Sequence, residues 1–241
     1  MLKYLTIFIS SLLLLAGFWS LFYSQKNIHY WLVAIAVAVI LLSGRILSRN
    51  RFFRFKILWL NLIFVYISQL LFLLLLISEE WRYLLSLVLS LLWMLIWWLL
   101  AKYFENIDNI ENSNYLVVNK FFYYLAFWFL ATSLYSLVIF IHFPLLYAYL
   151  ICIVFTFFWL VDIVRYQDNF SWVNLIFSLF ILSQILVAVY LLPVSFYVAG
   201  TIATLWFFFI IDNTANTLRS FKLYLGLFLL ITILLLTTSI I

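Results

Sequence analysis

The chain has 241 residues, of which 69% are hydrophobic and only 9% charged, and its formal net charge is +5. Soluble domains carry roughly 45–50% apolar and about 25% charged residues, so this composition excludes a globular protein that faces water on every side. Its single cysteine, Cys152, excludes an intrachain disulfide. The basic excess gathers in short loops between apolar runs, which points to anionic membrane lipid and not to nucleic acid.

A membrane helix needs about 20 mainly apolar residues to cross roughly 30 Å of hydrocarbon. The apolar runs predict about nine transmembrane helices, near 4–23, 30–47, 57–78, 83–103, 121–142, 145–166, 172–192, 195–212 and 222–241. Helices are the expected form, because open strands leave backbone groups unsatisfied in lipid. The first run follows Lys3 and lacks a small-x-small cleavage site, so it reads as an uncleaved helix.

Lys and Arg favour cytoplasmic loops. With the N-terminus inside, that side collects Lys3, Arg45, Arg49, Arg51, Arg54, Lys56, Lys102, Lys120, Arg165, Arg219 and Lys222, which is 11 of the 13. Only Lys26 and Arg82 fall outside. Arg45 to Lys56 holds five of these cations among Phe52, Phe53 and Phe55. It reads as a contact with anionic headgroups, with the aromatic rings at headgroup depth; each such cation is worth roughly 1 kcal/mol.

The two prolines, Pro144 and Pro193, are expected in the first turns of the sixth and eighth helices, where a missing N–H is tolerated. The longest polar stretch, Glu105 to Asn119, separates two halves. The expected organisation is therefore a four-helix repeat over 1–106, a cytoplasmic linker over 107–119, a second four-helix repeat over 120–220, and an additional C-terminal helix over 221–241. Glu105, Asp108 and Glu111 recur every three residues but read as a solvated face.

The duplication rests on a shift of 113 residues. It aligns Trp59, Asn61, Leu62, Ile63 and Phe64 with Trp172, Asn174, Leu175, Ile176 and Phe177. It also aligns Leu92 and Trp93 with Leu205 and Trp206, and His29 with His142, the two histidines of the chain. Ser68-Gln69 follows the first motif and Ser183-Gln184 the second, but two residues later. At 100° per residue, Asn61 and Ser68 share a face, whereas Asn174 and Ser183 fall on nearly opposite faces.

Asn61, Ser68, Gln69, Asn174, Ser183 and Gln184 are the candidate lining of a substrate path. The competing reading is helix-to-helix adhesion, worth about 0.6–2 kcal/mol for each interhelical hydrogen bond. Asp162 and Arg165, one turn apart, read as an exposed local pair. Trp19, Trp31, Trp81, Trp97, Trp98 and Trp172 read as interfacial anchors, and Trp93, Trp159 and Trp206 as deeper packing residues.

No catalytic residue, metal-ligand cluster or cofactor motif stands out, and no Gly-rich phosphate loop is present. The expectation is a multi-pass protein of the cell membrane, a non-enzymatic scaffold or assembly subunit that meets the lipid bilayer and another membrane protein or itself. The alternatives are a carrier or flippase for a lipid or weakly polar solute and, third, a membrane-bound lipid-modifying enzyme.

Overall fold

The computed structural model describes residues 2–23, 28–48, 55–105, 113–164 and 171–215, together with Leu229, 231–233 and 236–237. Among these residues the fold is all-helical, with no strand. The helices are α1 (Leu2–Tyr23), α2 (Ile28–Ser48), α3 (Lys56–Leu75), α4 (Glu79–Glu105), α5 (Ser113–Ile141), α6 (Leu145–Val164), α7 (Trp172–Tyr190) and α8 (Phe196–Ala215). Six of them, α1 and α3 to α7, are long and apolar enough to cross a membrane, and they mark a membrane-embedded protein. The apolar runs in α2 and α8 are shorter, Val33–Ser48 and Phe196–Ile211. The expected ninth run lies mostly outside the described residues; Leu229, 231–233 and 236–237 within it are helical.

The chain packs as two compact units, Met1–Tyr115 and Leu116–Ile241. In the first, α1 and α4 run antiparallel. Lys3 Nζ meets Glu105 Oε1 at 2.8 Å at one end, and Trp19 Nε1 donates to Ser86 Oγ at 2.8 Å towards the other. Phe18 of α1 stacks on Tyr66 of α3, with ring centroids 4.9 Å apart. A Cβ at Gly44 would lie 2.8 Å from the Trp59 ring, so only glycine lets α2 approach that indole without displacing it. Glu79 and Glu80 open α4, where acidic side chains suit the positive end of the helix dipole. Arg82 Nε donates to the Leu76 carbonyl and closes the α3–α4 turn.

The second unit is built on aromatic stacking. Phe127 lies on Phe207 at 4.2 Å, and Tyr123 on Trp159 at 6.0 Å. Its first helix, α5, begins at Ser113, inside the stretch read from the sequence as linker. No Gly or Pro occurs between Glu105 and Lys120 to stop a helix, and Tyr115 to Val118 extend the apolar pattern. His142, with φ 55°, turns the chain between α5 and α6. The Pro144 carbonyl then accepts the Tyr147 and Ala148 N–H groups at the head of α6. Pro193 differs from expectation. It sits in the α7–α8 turn, three residues ahead of Phe196, and Ser195 starts α8 by accepting the Ala199 N–H on its carbonyl.

Candidate functional site

The uncharged polar residues Asn61, Ser68 and Gln69 of α3 are all buried. One stripe of that helix faces the interior of the first unit and carries all three. Gln69 Oε1 accepts a hydrogen bond from Trp93 Nε1 of α4 at 2.8 Å. Ser68 Oγ turns back onto the Val65 carbonyl at 2.7 Å, which satisfies its donor inside its own helix. Trp93 packs edge-on against Tyr66 at 6.0 Å and beside Trp97 at 5.8 Å. The Tyr66 hydroxyl and the Trp97 indole N–H are buried without a hydrogen-bond partner among the described residues. Gly17 leaves room for that hydroxyl, since a Cβ there would lie 2.6 Å from it.

The corresponding residues of α7 have a different setting. Asn174 and Gln184 are exposed, and only Ser183 is buried. Ser183 Oγ donates to the Phe180 carbonyl at 2.6 Å, as Ser68 does in α3. Val173, Ile176, Phe177, Phe180, Gln184 and Val187 fall within about 100° of arc around α7 and are all exposed, Val173 by 74% and Phe177 by 63%. Gln184 lies within that arc, between Val173 and Phe177. It is about 9 Å along the axis from Tyr190, so its amide is within the apolar length of the helix.

Elsewhere in the second unit, polar groups bridge helices. Trp128 Nε1 donates to Thr201 Oγ1 at 3.0 Å, and the Tyr135 hydroxyl to the Leu186 carbonyl at 3.0 Å. A cavity of ≈ 30 Å³ beside Tyr135, Cys152 and Leu186 is apolar and holds no more than about one or two water molecules. At Gly200 a Cβ would come within 3.0 Å of the Thr132 backbone, which sets the close approach of α5 and α8.

Three assignments read from the sequence change here. Asp162 is not exposed, and Arg165 lies outside the described residues. Asp162 is 3% exposed, and its Oδ2 accepts the Tyr123 hydroxyl at 2.6 Å. Spacing within α6 does not reveal this, because the donor comes from α5, 39 residues away. Trp97 is not an interfacial anchor but fully buried, while Trp98, turned 100° around α4, is exposed beneath Lys102 Nζ at 3.9 Å. Phe55 does not sit among headgroups; it is buried against Tyr103 and Phe104.

Of the basic segment, Arg45 and Lys56 are exposed, and Arg49, Arg51 and Arg54 lie outside the described residues, as do Arg165 and the side chain of Asp212. Among the described residues no three His, Cys, Asp or Glu side chains converge on a metal-sized site. The chain matches no known protein family, no curated protein and no solved structure.

Proposed function

We propose that this chain is a non-enzymatic membrane scaffold or assembly subunit whose docking surface is the exposed face of α7. The observation that carries the reading is Gln184. Its amide lies on a face otherwise made of Val173, Ile176, Phe177, Phe180 and Val187, where lipid tails offer neither donor nor acceptor. An amide placed in hydrocarbon without a hydrogen bond costs about 4–8 kcal/mol on alkane scales. A docked transmembrane helix with a polar group at the same depth gives that amide a hydrogen-bond partner. A second copy of this chain, inserted in the same orientation, brings its own Gln184 to the matching depth, and the amide is both donor and acceptor.

In this reading the chain crosses the cell membrane nine times, as two tandem four-helix halves and a C-terminal helix. The N-terminus and 11 of the 13 basic side chains face the cytoplasm, where Arg45, Arg49, Arg51, Arg54 and Lys56 meet anionic headgroups. Native mass spectrometry of the full chain released from nanodiscs tests the assembly. A dimer or a complex with another polypeptide is the expected result, and a bare monomer overturns it. Oxidising a Val187→Cys variant, on the same exposed face with Gln184 kept, then identifies the partner. Cys152 is buried, so it offers no competing surface thiol.

A second reading, a carrier for a lipid or weakly polar solute, draws on the Tyr66 hydroxyl and Trp97 indole, the buried groups beside Gln69 that lack a partner among the described residues. It expects a monomer that retains one small molecule and loses it in Gln69→Leu.

A further inference from the structure

We propose that the cleft between α1 and α2 holds one acyl chain of an anionic phospholipid, with the headgroup at the Arg45 end. The cleft has a volume of ≈ 260 Å³ and lies between residues 5–13 of α1 and 39–46 of α2. Its walls and floor differ in character. Leu5, Ile9, Leu13, Leu42 and Ile46 stand exposed along the rim, while Ser10, Ser43 and Val39 form a buried floor. Small residues such as these normally let membrane helices close on one another. Here they sit beneath an open slot.

The floor suits a hydrocarbon tail. Ser10 Oγ bonds to the Thr6 carbonyl at 2.6 Å and to the Ile7 carbonyl at 3.2 Å, so its donor is spent within α1. The length of the slot selects the occupant. Leu5 to Leu13 spans about 12 Å of helix, against roughly 15 Å for one leaflet of a 30 Å hydrocarbon layer. An acyl chain occupies one leaflet, whereas a partner's transmembrane helix needs a groove through both.

The charge at the end of the slot selects the headgroup. Arg45 adjoins Ile46, is exposed, and makes no hydrogen bond or ion pair among the described residues. Arg49, Arg51 and Arg54 follow it in the chain. Lys3, near the start of α1, is already paired with Glu105, so the free cation described at this end of the slot is Arg45. The inference needs the chain to lie in a bilayer but does not depend on docking at α7.

The test is photolabelling of the full chain in vesicles, using phosphatidylglycerol with a diazirine in one acyl chain and a phosphatidylcholine analogue as control. Label concentrated on 5–13 and 39–46 is expected. Arg45→Gln should lower phosphatidylglycerol labelling there roughly fivefold, the equivalent of one headgroup cation, and leave phosphatidylcholine labelling unchanged. Ile9→Trp, at the exposed rim, should reduce both. Label spread at the same density over the exposed face of α7, or a cleft that takes both lipids equally, overturns the proposal. So does a cross-link from the cleft to another polypeptide. The parent chain alone decides the first of these outcomes, whatever the variants do to folding.

Discussion

α3 and α7 begin with the same pattern, a tryptophan followed by asparagine, leucine, isoleucine and phenylalanine, yet one helix turns that pattern inward and the other presents most of it outward. Trp59 is 1% exposed and Trp172 56%. Asn61 is buried and Asn174 exposed; Gln69 is held by Trp93 and Gln184 is open. The serines agree, each buried and bonded back to the carbonyl three residues earlier, and so do Leu62 and Leu175, both buried. A shared pattern along a helix therefore does not specify which side of that helix meets the core. The two-residue difference in spacing matters, because it turns Ser183 to the side opposite Asn174 while Gln184 stays outside.

The largest expected effect tests the buried copy. Trp59→Ala should cost about 3–5 kcal/mol, as for a buried aromatic cut to alanine, whereas Trp172→Ala should stay within about 0.5 kcal/mol, as for a surface position. Denaturation in mixed micelles, followed by the remaining tryptophans, reads the difference. Equal losses would mean that α7 buries its tryptophan as α3 does, and the contrast would fail.

Next come the glutamines. Gln69→Leu strands the Trp93 N–H in an apolar interior and should cost about 1–3 kcal/mol. Gln184→Leu should leave the melting of the isolated chain unchanged and dissolve the assembly seen by native mass spectrometry. A destabilised but still associated Gln184→Leu protein would assign that residue to internal packing. Gly200→Ala, which forces a methyl group against the Thr132 backbone, should cost about 1–3 kcal/mol by overpacking, with no effect on association. The smallest effect is expected for Asn174→Leu, within about 0.5 kcal/mol, while Asn61→Leu at its buried counterpart should be clearly larger in the same assay.

Much of the local structure was legible before any packing was known. Long apolar runs require helices in lipid, and their ends fell close to the observed ones for α1, α3, α6 and α7. The departures have physical reasons. α5 starts early because no residue in the polar stretch before it breaks a helix. Pro193 lies in a turn because Ser195 supplies the start of α8. Trp93 and Trp159 were read as deep packing residues and are fully buried. Trp97 is buried and not interfacial because depth along a helix does not reveal which way a side chain faces.

The sequence by itself determined that the chain is helical and membrane-embedded, because continuous apolar runs of about 20 residues with so little charge satisfy their backbone in lipid as helices. Only the tertiary structure decided which polar groups are satisfied inside. The described helices are apolar over most of their surface, so hydrophobic periodicity, the usual sign of a buried face, is nearly silent. Burial then follows from contacts between residues far apart in sequence, Gln69 with Trp93 and Tyr123 with Asp162, and from the helix faces those contacts leave open. Gln184 lies on one of those faces.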